Sequence, residues 1–534
     1  MPGGTYSLID EPWIPVRWRP DAQAPGGEDL PARVGLRDVL LRAESIAGLA
    51  IAEPPAHTAL LRILYALTAR VTKLDEAGPR DWLERRVDVL GEGRLPARGI
   101  EEYFTSYRER FFAHDPVGGR PWMQDARLAE QCDPGNTAGV NKLIVTRPAG
   151  NNHAWFRHGS DAAPDLPTMS EAVLNLLVWH YFGPSGRCSS REVNGVKSAS
   201  AIAGPLRTAL SYHPEGDSLF ETLLAGLVPP PRTVRRTTDQ CPWERDELPD
   251  PDEFPKAPAG PCARLTACSQ HALLLVPESD GQRVRDAYIT WAYRKGRIPR
   301  DDDFVIWQIS QQNNRYPRPA DANRGLWRDL DALLLLKPSG SAQPERPRVF
   351  HTAYEVSERL RVRALGFDQE GQAKDTQFVD ASTPRVFDVV EERAEHIAPA
   401  VGRLRQLGEL FGWRLERAVK RAWAAYVTDA KAKPDTWVAE AAARYWPRAE
   451  REFWDRFREL DRTNALPNGG LDVGEARKAF LRLAEEAYEA VTATVTRTQR
   501  GAKAVFEARI ELYGGNRKKK AAPAEGPAVG RAQQ

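Results

Sequence analysis

The chain has 534 residues, of which 42% are hydrophobic and 28% charged, enough apolar material to core two domains beneath a water-facing surface. Its 75 Lys and Arg against 73 Asp and Glu leave a formal charge of +2, which excludes a global polycation, so any nucleic-acid contact must come from local patches. With 40 glycines and 42 prolines it reads as an irregular, loop-rich scaffold.

No basic-then-apolar leader opens it, and no apolar run reaches the ~18 residues of a membrane span; a cytoplasmic protein that does not engage membranes is expected. Cys132, Cys188, Cys241, Cys262 and Cys268 form an odd set without CxxC spacing. That spacing does not assemble a zinc site, and free thiols in a reducing compartment are expected.

In chain order, Ser7-Leu8-Ile9-Asp10-Glu11-Pro12-Trp13-Ile14-Pro15-Val16-Arg17 alternates like a short strand, which Pro12 and Pro15 confine to a sheet edge or an irregular stretch. Ala59 to Val71 predicts a helix with Leu60, Leu61, Leu64 and Leu67 on one face. There follow Phe111-Phe112-Ala113-His114-Asp115-Pro116, the turn Arg120-Pro121-Trp122-Met123-Gln124-Asp125, and Pro148-Ala149-Gly150-Asn151-Asn152-His153-Ala154-Trp155-Phe156-Arg157-His158. Ser170 to Tyr181 predicts a second helix through Val173, Leu176, Leu177 and His180. Pro229 to Pro261 is a long Pro-rich connection, and loops of that length are usually functional or disordered. Asp301-Asp302-Asp303 reads as a solvated turn, and Leu365 to Lys374 as a polar, Gly-punctuated turn between two periodic stretches.

After Pro384 the character changes. Ile397, Val401, Leu404, Phe411, Leu415, Val419 and Trp423 recur every three or four residues, as do Trp437, Ala441, Tyr445, Phe453 and Phe457, then Ala476, Phe480, Leu483, Ala487, Val491 and Val495. Long amphipathic helices joined by turns such as Leu466-Pro467-Asn468-Gly469-Gly470 predict a bundle. The fold class is therefore α+β: a mixed domain over 1–380, a helical, four-helix-type bundle over 385–513, and a tail over 514–534 with nothing to bury.

Enzyme signatures are sparse. His114-Asp115 could open an HD-type metal site, but the other histidines are scattered and Pro116 favours a turn; a divalent ion needs several more donors. No P-loop, nucleophile elbow or dinucleotide fingerprint is present. No cofactor or metal is expected.

The ordered set beginning Ser7 to Arg17, and continuing through Phe111 to Asp125 and Pro148 to His158, resembles the large subunit of the type I-E CRISPR surveillance complex Cascade, the CasA family, from Leu8 to about Val495. The resemblance implies a non-enzymatic DNA-recognition subunit. In relatives a Gly/Asn-Gln-Ala turn wedges beneath the protospacer-adjacent motif (PAM); here Gly371, Gln372 and Ala373 match it. A glycine-rich minor-groove loop corresponds to Asn194–Pro205, with serines and alanines such as Ser198, Ala199 and Ser200 in place of glycines and Lys197 able to meet a phosphate. A basic finger corresponds to the lysine-free stretch Trp307–Arg318, where Gln311, Asn313, Asn314 or Arg315 would substitute. A PAM-side loop corresponds to Gly150, Asn151, Asn152 and Phe156. Trp13 and the Arg120-Pro121-Trp122 turn read as scaffold. The implied partners are double-stranded target DNA, the displaced single strand, the guide-RNA-bound backbone with its small subunits, and a helicase-nuclease. Two other readings stay open: a scaffold subunit that does not read DNA, and a hydrolase using His114 and Asp115.

Overall fold

The computed structural model describes residues 5–23, 29–114, 119–147, 163–337, 344–370, 374–429, 431–463 and 465–515. Asp115, Gly150, Asn151, Asn152, Phe156, Gly371, Gln372, Ala373 and the tail from 516 lie outside this set. The chain divides into two compact units, Met1–Glu395 and His396–Gln534.

The first unit opens with β1 (Tyr6–Ser7), β2 (Ile14–Trp18), β3 (Arg33–Val34), β4 (Ile46–Leu49) and β5 (Phe112–His114), all paired antiparallel. The expected strand over Ser7 to Arg17 is split by a turn in which Glu11 N donates to Ser7 O at 2.9 Å. The edge placement is also corrected, because β2 lies between β3 and β4. It tolerates Pro15 because β3 pairs only with Ile14 and Pro15, and β4 only with Val16 to Trp18, so no residue has strand partners on both sides.

The helix Pro54–Val71 starts on two prolines and is buried on every side, where periodicity had predicted one buried face. Its two arginines survive burial because each is paired with carboxylate oxygens. Arg62 forms a two-pronged pair with Asp302, at 2.6 and 3.1 Å, and also reaches Ser211. Arg70 bonds Glu244 at 2.8 and 2.7 Å and Asp75 at 2.6 Å. A buried charge is tolerable only with such partners.

Both clusters correct the sequence reading of their loops. Asp301-Asp302-Asp303 is no solvated turn: Asp303 is 2% exposed and bonds Arg264 at 2.9 Å, while Arg348 pairs with Asp301 and Asp303. The connection Pro229–Pro261 is anchored in the core. Glu244 accepts from Arg70, from Tyr103 Oη at 2.7 Å and from Cys241 N at 2.8 Å, and Trp243 Nε1 donates to Tyr103 Oη at 2.8 Å. Trp13 and Trp122 are buried with ring centroids 6.4 Å apart. All five cysteines are free thiols.

Later in this unit come the hairpin β6 (Gly186–Val193) and β7 (Val196–Ala201), then β8 (Ser211–Glu215). They are followed by the hairpin β9 (His271–Pro277) and β10 (Val284–Trp291), the short hairpin β11 (Trp307–Ile309) and β12 (Arg315–Pro317), and the long hairpin β13 (Arg361–Glu370) and β14 (Lys374–Arg385). β13 also pairs with β8, giving the sheet order β14-β13-β8.

The second unit is helical: Ala398–Tyr426, Asp435–Glu459, Val473–Thr492 and the shorter Gln499–Ala508. Pro399 sits in the first turn of its helix, where the missing N–H costs nothing. At Gly412 an added Cβ would lie 2.3 Å from the Trp446 ring, so glycine is what lets that indole lie on the helix backbone. Tyr445 Oη donates to Gly408 O at 2.7 Å one turn away. The turn at Asn468-Gly469-Gly470 runs through positive φ at all three residues, conformations that Asn and Gly adopt at least cost. The α+β class with a C-terminal helical cluster is the one expected. No described helix is long and apolar enough to cross a membrane.

Candidate nucleic-acid interface

The small-residue stretch Lys197 to Ser200 lies in a strand, where a loop was expected. Asn194 (φ 50°) and Gly195 (φ 73°) form a two-residue turn closed by the Val193–Val196 pair, the positive-φ geometry of tight hairpins for which Asn-Gly is the strongest signal. Lys197 is exposed, Ser198 and Ala199 are half-buried, and Ser200 is exposed. Lys197 stands directly opposite Glu192 in register, so a carboxylate shares its face of the hairpin. Arg187, exposed opposite Ser200, is a basic residue that the sequence reading missed.

The hairpin is pinned from beneath. Arg191, 0% exposed, donates to Gln131 Oε1 at 2.8 and 2.6 Å, to Trp291 O at 3.1 Å and to Asp125 Oδ2 at 2.9 Å, with its guanidinium 5.1 Å from the centre of the Trp291 ring. Trp291 Nε1 donates to Ser198 O at 3.1 Å. Asn194 Nδ2 reaches Asp252, which also pairs with Arg294.

The finger stretch forms the β11–β12 hairpin. Gln311, Asn313 and Asn314 are exposed at its tip, where Asn313 takes φ 62° and Ser310 N donates to Asn314 O at 2.9 Å. Arg315 differs from them: Glu345 Oε2 accepts from it at 3.1 and 2.6 Å and its guanidinium lies 4.1 Å from the Trp307 ring centre. Its charge is already engaged, whereas the Gln311, Asn313 and Asn314 side chains meet no partner among the described residues.

The turn expected over Leu365 to Lys374 is mostly strand, because Leu365 and Phe367 are buried apolar residues that pair with Asp380 and Phe378. Only Gly371 to Ala373 separate the two strand ends. Just before the tip, the register shifts between Asp368 and Gln369, a bulge that re-aims a strand end. Lower down, Phe367 packs on Phe378 at 5.1 Å and on Phe182 at 5.7 Å, and Arg363 grips Asp380 at 3.0 and 2.8 Å.

These three hairpins share one root. Leu210 N donates to Arg318 O at 3.1 Å and Ala320 N to Thr208 O at 3.0 Å, tying the segment after β7 to the segment after β12. Ala322 N donates to Asp368 Oδ2 at 3.0 Å, and a Cβ on Gly366 would meet Ala209 O at 3.0 Å, so both segments run along β13. Chain order alone holds no hint of this convergence.

His180 lies beneath this region. Its Nε2 donates to Met123 O at 2.7 Å, and burial presses its pKa from 6.5 down to about 4. The unfolded chain therefore takes up the proton first: the histidine's contribution to stability is complete above about pH 6.5 and is lost as pH falls toward 4. At pH 5 the loss is about 2 kcal/mol. Urea midpoints at pH 7 and 5 should drop by correspondingly less for His180→Gln than for the parent; parallel pH curves would contradict this.

His114 lies in β5, opposite Tyr6. Among the described residues no group of three His, Cys, Asp or Glu side chains is placed to hold a metal ion.

Comparison with known proteins gives a consistent result. The family model for CRISPR-associated protein Cse1 matches residues 7–501. The CRISPR-associated protein CasA/Cse1 of Thermus thermophilus is 29% identical over 337 residues, 62% of this chain, and the match spans 60% of that relative's length. A chain of a CRISPR RNA-guided surveillance complex superposes with a TM-score of 0.83 at 38% identity, covering 95% of this chain and 99% of its own. A chain of a pre-nicking surveillance complex gives 0.76 at 37%, covering 96% and 99%. Cse1 of Thermobifida fusca, at 21% identity with a TM-score of 0.70 and coverage of 95% and 97%, shares the fold.

Proposed function

The chain belongs to the CRISPR-associated protein Cse1 family, and from that premise we propose that it is the large, DNA-reading subunit of an RNA-guided surveillance complex. In this reading it recognises the PAM of double-stranded target DNA from the minor-groove side and starts strand separation with Gln372. Guide-RNA pairing then takes over sequence discrimination. The helical unit supports the displaced strand and the small subunits, and an outer face docks the helicase-nuclease. The chain itself breaks no bond.

The observation that carries the reading is the common root of the three hairpins, with small residues half-buried to exposed along β7 and amide side chains exposed at the β11–β12 tip. The minor groove offers a degenerate pattern of acceptors, which short amide donors and close backbone approach suit better than long cations. Loss of the finger's lysine and engagement of Arg315 by Glu345 shift the burden to Gln311, Asn313 and Asn314, so tolerance of several PAM sequences is expected.

The test uses the RNA-loaded complex assembled with and without this chain, on matched targets carrying a permissive or a scrambled PAM. Adding the chain should create binding to the permissive target alone. An equal rise on both targets would make it a scaffold or a nonspecific clamp.

A further inference from the structure

A cavity apart from the three hairpin tips opens in the first unit, about 790 Å³ including its mouth. The segment after β5, the anchored loop around Trp243, and the ends of β9 and β10 line it. Four arginines face it: Arg110, Arg120, Arg127 and Arg245. All four are half-buried, so their positions are set by packing.

The charge around this cavity is unbalanced. Its lining contains one carboxylate, Asp125, which is shared between Arg127, at 2.8 and 2.9 Å, and the buried Arg191 at 2.9 Å. Asp250, on the neighbouring loop, also acts on Arg127. Among the described residues Arg120 donates only to carbonyls, Arg245 O at 2.7 Å and Pro242 O at 2.9 Å. Burial and the charges of Arg110 and Arg245 press its pKa below the usual arginine value. Arg110 and Arg245 pair with no carboxylate among the described residues. Three cations thus converge near a single carboxylate, Asp125, which acts on Arg120 but is already bonded by Arg127 and Arg191, an arrangement that costs energy unless a ligand supplies further negative charge.

The floor has complementary features. Tyr293 presents a half-buried ring, and Trp122 and Trp243 also line the cavity, their centroids 5.9 Å apart. Trp122 has a buried indole N–H that meets no acceptor among the described residues. Met123, next in the chain, is held at φ 57° with its carbonyl tied to His180; a left-handed non-glycine residue of this kind clusters at binding sites.

We propose that this cavity binds one unstacked nucleotide, with its phosphate held by Arg110, Arg120 and Arg245 and its base against Tyr293. Guanidinium forks match phosphate oxygens two at a time, and a base offers an aromatic ring a sequence-independent face. A bare anion would have no use for the aromatic floor, and an acidic peptide none for a stacking ring. The site is separate from duplex reading and does not rest on it.

The test uses the purified full chain and a fluorescein-labelled single-stranded DNA of roughly ten nucleotides, within the usual range for single-strand sites. Neither duplex nor guide RNA is present, so this result and the PAM result can fail independently. Anisotropy should show binding that weakens about tenfold in Arg110→Gln/Arg245→Gln, with the salt slope smaller by about 0.7 for each phosphate no longer neutralised. The charge-keeping Arg110→Lys/Arg245→Lys should retain most of it, and Arg98→Gln, whose side chain is 91% exposed on another helix, all of it. Competition by AMP would show that a free nucleotide suffices; competition by unlabelled strand alone would place the site on a nucleotide within a chain. Unchanged binding in the double Gln variant overturns the proposal, as does no binding at all. Inorganic phosphate competing as well as AMP overturns the role of the base. A poly-glutamate peptide binding more tightly than the strand overturns it in favour of a peptide.

Discussion

Replacing Arg70 by methionine should cost the first unit about 3–5 kcal/mol, the range for removing one partner of a buried charge cluster. Arg70 is the only cation bonded to both Glu244 and Asp75 among the described residues, and all three side chains are at most 3% exposed. Burial alone would raise the Glu244 pKa; Arg70, together with the bonds from Tyr103 and Cys241 N, outweighs it and holds the carboxylate below its usual value. Without the guanidinium both carboxylates must either stay charged in a poor dielectric or take up protons. The methionine chain fills much of the vacated space, so the loss isolates charge more than volume. Urea unfolding at pH 7 measures it, and a loss below about 1 kcal/mol would mean that water reaches the cluster. Adding Glu244→Gln should restore part of the stability, since one orphaned charge is then gone, and this non-additivity identifies the pair. Because Glu244 anchors the loop beside Trp243 and Arg245, the single variant should also weaken single-strand binding.

Gln372→Ala should slow the opening of linear, fully paired targets about tenfold or more, and slow pre-opened targets far less. Unstacking and unpairing one step costs a few kcal/mol, and an amide placed at the exposed pair returns part of that by stacking and hydrogen bonding. Losing about 1.4 kcal/mol of that compensation is a factor of ten in rate. The strands leading to this residue are well held, by Phe367 against Phe378 and by Arg363 on Asp380, so little of the wedge's push would be lost in bending its support. Stopped-flow or single-molecule R-loop kinetics on paired and mismatched-bubble targets make the comparison. Equal slowing on both would assign Gln372 to general affinity and remove the wedge.

Much of the second unit was legible because each long helix writes its own period: Val401, Leu404, Phe411 and Leu415 are all buried as spaced. Its short helix Gln499–Ala508 escaped notice since it buries only Gly501, Ala504 and Ala508, residues too small to mark a stripe. Thr498, which caps it by accepting from Gly501 N at 3.1 Å, was the available signal. In the first unit, local patterns named elements but not their surroundings. Arg62 and Arg70 look like surface residues in sequence, and their carboxylates lie up to 240 positions away. Asn194-Gly195 was a readable hairpin turn passed over for its small neighbours. The candidate site residues came from resemblance, since amides and serines in loops carry no chemistry that spacing alone could single out.

The common root of the hairpins has a consequence for change over time. Each tip hangs on its own pair of strands, while the bonds joining the three lie below two of the tips, at Leu210 and Ala320, and two residues inside the end of β13, at Asp368. A tip can therefore gain, lose or exchange a residue without disturbing the other two. If the tips read the sequence beside a target as proposed, invaders that alter it can be followed one fingertip at a time, on a chassis that never has to be rebuilt.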